Sequence, residues 1–304
     1  KMIQELIKKF SGNLSSQTDL SNYSWFNLGG PAELLFKPEN TNQLIEFLHF
    51  VKGENLAITV LGAGSNTLIR DHGIKGAVIK LGSNFSKMKL ISPDTIEVGS
   101  ATLDRKISNF AKDNGVGNLE FLSCIPGSIG GGVIMNSGCY GDDISKILIS
   151  IKAIDINDCK EKEISRDKIS FYYRGTNLPS SLIITSVKLK GKITDKNVIK
   201  KKQFEMIEKK KLTQPSQIKT CGSTFKNFGT EKKAWQLIKE TGCDKFFEGD
   251  AIISKKHCNF FVNNGKAKSS DIEKLINKVK QTINDKTGIN LELEIKIIGE
   301  KKKI

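Results

Sequence analysis

The sequence predicts an α+β protein with at least two domains. Apolar residues recur with a helical period in some segments and alternate in others, so neither class of element dominates. Two glycine-rich turns punctuate the front part, at 62–66 and 125–132, and a lysine-rich helix near 197–211 separates it from the rear part. The domain boundary is therefore expected near 195–205. At 304 residues the chain is long enough for two or three cores.

A helix is expected at residues 41–52, with Leu44, Ile45, Leu48 and Val51 on one face after Thr41. Strands are expected at 58–61, 77–81 and 95–98. A helix near 103–113 has Leu103, Ile107, Phe110 and Ala111 in phase, and Gly115 lies just past its end. Further strands are expected at 148–155 and 182–190. Beyond the lysine-rich helix come a helix at 232–241, an apolar segment at 257–263 and a long helix opening at Ser270. A capping box from Ser270 to Glu273 would start that helix, the stripe Ile272, Leu275, Ile276, Val279 and Ile283 would bury it, and Gly288 would end it. From Leu291 to Ile298 the residues alternate, which predicts one strand with Glu292, Glu294 and Lys296 on its polar side.

Charge and composition narrow the partners. The net charge of +15 comes almost wholly from lysine, because arginine occurs only at 70, 105, 166 and 174. Nucleic-acid readers lean on arginine forks and interleaved aromatics, and aromatics make up 7% of this chain. The lysines read as a solvated surface, or as a field that attracts small anions. No apolar run approaches the ~18–20 residues of a membrane span. Residues 1–10 resemble a short amphipathic helix rather than a signal peptide, which predicts a cytoplasmic protein. The six cysteines, at 124, 139, 159, 221, 243 and 258, show no metal-ligand spacing and read as free thiols.

Four segments could carry chemistry. Gly62-Ala63-Gly64-Ser65-Asn66 follows a strand and could cradle a phosphate with its backbone N–H groups. It matches neither a Walker loop nor the full G-x-G-x-x-G pattern; taken alone, it reads simply as a turn. Ile125 to Gly132, followed by Met135-Asn136-Ser137-Gly138, is dense enough in glycine to pack a backbone against a large flat ligand, or to build two tight turns. Phe171-Tyr172-Tyr173-Arg174 offers a guanidinium suited to a carboxylate or phosphate. Gly222-Ser223-Thr224-Phe225-Lys226-Asn227 places a serine on a tight turn. The only histidines are His49, His72 and His257, and none suggests a nucleophilic triad, so Ser223 reads as a group that gives or takes a proton.

In this order and spacing, these segments resemble the UDP-N-acetylenolpyruvoylglucosamine reductase family over about Tyr23 to Gly299. The resemblance also includes Trp25 to Ala32, Arg70-Asp71, Ser254 with His257, Asn259, Phe260 and Asn263, and Leu291 to Glu294. It looks like the shorter subtype of the family. It implies a PCMH-type flavin fold: FAD-binding subdomains at 1–81 (joined by a C-terminal strand, 289–304) and 82–196, then a smaller α+β substrate-binding domain at 197–288. It further implies noncovalent FAD between the two front subdomains, NADPH as co-substrate, and reduction of UDP-N-acetylglucosamine-enolpyruvate to UDP-N-acetylmuramate for peptidoglycan synthesis in the bacterial cytoplasm. The implied protein is a monomer without nucleic-acid partners or membrane insertion.

The same resemblance assigns residues. Gly62, Ala63, Gly64, Ser65 and Asn66 would cradle the FAD pyrophosphate, and Pro126, Gly127, Ser128 and Gly130 would lie along the isoalloxazine. After hydride transfer from flavin N5, Ser223 would give the proton, while Arg174 and Glu294 would hold the charge on the enol carboxylate. Tyr173, Lys226, Asn227, His257 and Asn259 would contact substrate. The chain departs from the family pattern at Ala63, Thr176, Phe228 and Leu293, the last two standing where proline is common. Two other readings stay open at this point: a flavin oxidase anchored through His72, and a lysine-rich nucleotide- or nucleic-acid-binding protein without catalysis.

Overall fold

The computed structural model describes residues 1–227 and 231–301, so Phe228 lies outside the described residues. Helices and strands are mixed along the whole chain, an α+β protein. The chain forms two compact units, Lys1–Leu14 with Phe36–Ala63 and Ile79–Lys210, and Ser15–Leu35 with Gly64–Val78 and Lys211–Ile304.

The first unit is built on a five-stranded antiparallel sheet. Its strands lie in the order Lys160–Ser165, Leu148–Asp155, Leu182–Lys190, Thr95–Gly99 and Met88–Ser92. Ile164, Ile151, Val187, Val98 and Met88 stand opposite one another across all five strands. They form one row of the core, because residues in register share a sheet face. Helix Asp104–Asp113 adds Ile107 and Ala111 to it, and helix Ile129–Met135 adds Ile129 and Val133. Elsewhere in this unit, helix Thr41–Gly53 is capped by the Asn40 side chain, which accepts from the Gln43 N–H. Its Phe47 ring stacks on Phe36 at 3.9 Å and meets the edge of Phe10. The expected elements at 58–61, 148–155 and 182–190 match strands with those same bounds.

The second unit holds a four-stranded antiparallel sheet in the order Lys219–Ser223, Phe260–Asn263, Ala251–Ile253, Phe247–Glu248. Helix Ser269–Thr287 buries the expected stripe of Ile272, Leu275, Ile276, Val279 and Ile283 in the core that contains Ala251, Ile253 and Phe261. Gly288 ends it at φ +74°, its N–H bonded to the Asn284 carbonyl.

Two expectations need correction here. The Ser270–Glu273 capping box does not form. The helix opens at Ser269, and its first N–H groups, those of Ser269 and Ser270, donate to the two carboxylate oxygens of Asp71 at 2.9 and 3.0 Å. Glu273 is instead gripped by Arg70, with Nε and Nη2 donating at 3.2 and 2.9 Å. A full negative charge at the helix start satisfies the orphan donors better than a hydroxyl, and the serine is released from that task. The last strand is also not continuous. Leu291 and Ile295 are buried as alternation demands, but Leu293 bridges antiparallel to Phe225, whereas Lys296–Ile298 pairs in parallel with Thr67–Ile69. One apolar row serves two partners running in opposite senses, and the regular pairing breaks between them.

Candidate active site

In the second unit the Ser223 segment is clamped on both sides. Gly222, at φ +72°, and a register shift between Thr220 and Ser223 bend the strand end, leaving Ser223 opposite Phe260. The next residues form a short ladder with the C-terminal segment. The Glu294 N–H donates to the Thr224 carbonyl, and the Lys226 N–H to the Glu292 carbonyl, both at 2.8 Å. Around the Phe225–Leu293 bridge this sets Thr224 opposite Glu294 and Lys226 opposite Glu292. By alternation these four share the face away from Phe225, which is fully buried in the core. On the other edge the Asn259 amide replaces a neighbouring strand: its Oδ1 accepts from the Phe225 N–H at 3.1 Å, and its Nδ2 donates to the Phe225 carbonyl at 2.9 Å.

The other expected substrate contacts in this unit have varied settings. His257 packs its ring 4.8 Å from Phe260, and its Nδ1 accepts from the Asn259 N–H at 3.3 Å. Burial holds its pKa below the usual imidazole value, so the neutral ring is favoured near pH 7. Asn227 uses its Oδ1 to accept the Ala234 N–H at 2.9 Å, at the start of helix Ala234–Glu240. The Thr224 hydroxyl, which the sequence did not single out, is buried with no hydrogen-bond partner among the described residues. Gly64 sits at φ +75°, where an added Cβ would fall 1.8 Å from the Tyr23 carbonyl oxygen; only glycine fits. Its own carbonyl accepts from the Trp25 N–H, and that of Asn66 from the Lys296 N–H.

In the first unit Arg174 stands at the tip of a two-residue hairpin, between Phe171–Tyr172 and Gly175–Thr176. Its φ of +53° is a left-handed conformation that side-chain-bearing residues avoid. Three bonds tie this hairpin to the glycine-rich segment. The Asn136 amide donates to the Tyr172 carbonyl at 3.0 Å, the Thr176 hydroxyl to the Ile134 carbonyl at 3.1 Å, and Arg174 Nη2 to the Gly138 carbonyl at 2.9 Å. The guanidinium also lies 4.9 Å from the centre of the Tyr173 ring.

The same unit brings its two glycine loops together. A Cβ built on Gly62 would lie 3.7 Å from Ser128 Oγ. Ser128 opens helix Ile129–Met135, and Gly130 lies so close to Ser100 that a side chain there would crowd it at 3.0 Å. Lys80, another residue that sequence reasoning missed, donates Nζ to the Gly62 carbonyl at 2.5 Å. Burial, with the Lys37 charge, holds its pKa below the ordinary lysine value. Its place as the last residue of the apolar strand Ile74–Lys80 was the only available signal. Asp104 is fully buried with both carboxylate oxygens unpartnered among the described residues, and burial pushes its pKa well above the usual carboxylate range.

Comparison with known proteins then decides the family. Residues 214–298 match the UDP-N-acetylenolpyruvoylglucosamine reductase C-terminal domain, and residues 32–165 match an FAD binding domain. A UDP-N-acetylenolpyruvoylglucosamine reductase of Pelagibacter ubique is 47% identical over 97% of this chain and 99% of its own length. One from a Wolbachia of Brugia malayi is 42% identical over 92% and 94%. The chain belongs to the UDP-N-acetylenolpyruvoylglucosamine reductase family. The crystal structure of a Thermus caldophilus member superimposes with a TM-score of 0.80 at 31% identity, covering 93% of this chain and 97% of that one. Membership makes the chain an enzyme, an FAD-binding oxidoreductase with the PCMH-type fold that the resemblance implied.

The residues present fit an FAD. In the first unit Gly62 and Ser128 approach with only a hydroxyl between them, beside the Lys80 ammonium, a polar and cationic surface suited to a diphosphate. No helix among the described residues is long and apolar enough to cross a membrane, and no cluster among them could hold a metal ion.

Proposed function

We propose that this enzyme reduces UDP-N-acetylglucosamine-enolpyruvate to UDP-N-acetylmuramate for peptidoglycan synthesis, with NADPH as electron donor, as a cytoplasmic monomer. The observation that carries the reading is the ladder joining Thr224–Lys226 to Glu292–Glu294, which puts Ser223 and Glu294 on neighbouring segments of one compact unit. Both lie within the stretch matched to the family's C-terminal domain.

FAD, bound noncovalently, would supply the hydride for the reduction of the alkene. Gly62, Ala63, Gly64, Ser65 and Asn66, with Pro126, Gly127, Ser128 and Gly130, would hold it. Lys80 would set its charge against the diphosphate. Ser223 gives the proton to the carbon next to the carboxylate. A hydroxyl is a weak acid, so its contribution rests on fixed position beside developing charge, which the bulge at Gly222 and the Asn259 clamp support. Arg174 neutralises the substrate carboxylate with a planar fork, and Glu294 hydrogen-bonds the enol form. Tyr173 and Lys226 bind the nucleotide sugar, and the neutral His257 donates or accepts a hydrogen bond rather than pairing a charge. Asn227 and Asn259 act through the backbone they brace.

The test is the Ser223→Ala enzyme under anaerobic conditions. NADPH should still bleach the flavin band, while product formation on adding the enolpyruvyl nucleotide should fall by roughly 10²–10⁴-fold. Undiminished product formation removes Ser223 from the mechanism. A wild-type band untouched by NADPH removes the donor assignment.

A further inference from the structure

Where strand Lys219–Ser223 pairs with Phe260–Asn263 the register slips. Thr220 stands opposite Val262 and Ser223 opposite Phe260, so Cys221 and Gly222 together face Phe261 alone. The Thr220 hydroxyl donates to the Phe261 carbonyl at 2.6 Å and ties the start of this bulge to the sheet. Gly222, at φ +72°, has no side chain to anchor it, and Ser223 follows directly. The side chain that anchors the bulge next to Ser223 is therefore that of Cys221.

Its buried thiol reaches a different part of the second unit. The sulfur lies 3.6 Å from the Gly64 carbonyl oxygen, 3.6 Å from that of Thr67 and 3.9 Å from the Ser24 hydroxyl. Ser24, also buried, donates its hydroxyl to the same Thr67 carbonyl at 2.6 Å and accepts the Phe26 N–H at 3.3 Å. The Trp25 N–H adds a bond to the Gly64 carbonyl at 3.0 Å. Three segments, 24–26, 64–67 and the bulge at Cys221, thus meet on two carbonyl groups inside one compact unit. Burial pushes the Cys221 thiol up to about 11, so it keeps the hydrogen it donates throughout the neutral range.

A planar trans peptide points its carbonyl and its N–H in opposite directions. Pinning the Gly64 carbonyl between Trp25 and Cys221 therefore fixes the direction of the Ser65 N–H, on the far side of the same plane. The Lys296 N–H, bonded to the Asn66 carbonyl at 2.8 Å, holds the next part of the turn in the same way. We propose that Ser24 and Cys221 are positioning residues that set the Gly64–Asn66 turn and Ser223 in one fixed relation, so that a single buried junction serves both cofactor binding and proton delivery. Their effect rests on the assignments made above, of the turn to FAD and of the proton to Ser223. Both side chains act through backbone: Ser24 through the Thr67 carbonyl, and Cys221 through the Gly64 carbonyl on one side and the bulge before Ser223 on the other.

The experiment reads both ends of the junction in the full chain. FAD affinity comes from titrating the flavin-free protein with FAD and following flavin fluorescence. Proton delivery comes from stopped-flow reoxidation at saturating FAD, after anaerobic reduction by NADPH, on adding the enolpyruvyl nucleotide. In Ser24→Ala and in Cys221→Ala, the FAD Kd should rise and reoxidation should slow by about tenfold each, the size of one lost hydrogen bond. The KM for the nucleotide should stay at its wild-type value. Cys221→Ser, which keeps a donor on a shorter arm, should show both losses in smaller and equal proportion. That variant retains the buried donor, so the comparison survives if an alanine enzyme does not fold. Loss of FAD affinity without slower reoxidation, or the reverse, overturns the shared junction. A lower melting temperature with both properties at wild-type values leaves these residues a structural role only, and overturns it as well. A wild-type enzyme that binds no FAD, or whose reduced flavin the nucleotide leaves unoxidised, overturns instead the reading on which the junction rests.

Discussion

The side chain of Asn259 holds both the N–H and the carbonyl of Phe225, at 3.1 and 2.9 Å, and so takes the place of a missing strand beside the Ser223 segment. Asn259 is 1% exposed, so neither partner can turn to water instead. The side chain thus holds the segment through its backbone groups.

Asn259→Ala should strand the N–H and the carbonyl of Phe225 in the core. Each buried unpaired group costs about 1–3 kcal/mol, so the two together should cost about 2–6 kcal/mol of stability. Catalysis should suffer more in kcat than in KM, since the loop is misplaced rather than stripped of a contact. Urea unfolding with steady-state kinetics checks both. A loss confined to KM would point to direct contact with substrate.

Arg174 adopts a left-handed backbone that only glycine takes without penalty. Arg174→Gly should therefore be more stable than Arg174→Ala by about 1 kcal/mol, although both lose the guanidinium and most turnover. Arg174→Lys should also be slow, because a point charge cannot form the fork. Equal stability of the Gly and Ala enzymes in denaturant titrations would mean that the strain is carried elsewhere.

Asp104 supplies a pH dependence with a definite sign. Its folded pKa is raised by burial from the ordinary 3.8, so above that value the unfolded chain releases a proton that the folded state retains. The unfolded state then binds fewer protons, and stability falls as pH rises, until the folded pKa is passed. The limiting slope is about 1.4 kcal/mol per pH unit. Asp104→Asn lacks this contribution, so its stability relative to wild type should grow between pH 4.5 and 8. Parallel stability–pH curves in urea would show that the buried carboxyl is already charged.

Asp71 caps helix Ser269–Thr287 from a distant part of the chain. Asp71→Ala should destabilise the second unit by about 0.5–2 kcal/mol, the usual range for a lost N-cap. Ser270→Ala should be nearly neutral, since the hydroxyl caps nothing. The reverse order of the two losses in thermal unfolding would restore the local capping box.

Much was legible because it depends on neighbours in sequence. Helical and alternating periods place the strands 148–155 and 182–190 and the buried stripe of Ile272 to Ile283, since burial repeats with the element's own geometry. The ordered set of Gly62–Asn66, Ile125–Gly132, Tyr173-Arg174, Ser223 and Glu294 was enough to suggest the family, and with it the flavin chemistry. What a hydrogen bond needs, however, is an opposite partner, and period says nothing of partners far along the chain. Only the tertiary structure decided that Asp71 rather than Ser270 caps the last long helix. It alone showed that Asn259 clamps Phe225, that Lys80 reaches the Gly62 carbonyl, and that Leu291 to Ile298 divides between two strands of opposite sense. The residue types were written in the sequence; the pairings arose because buried backbone groups must find a partner wherever folding leaves one.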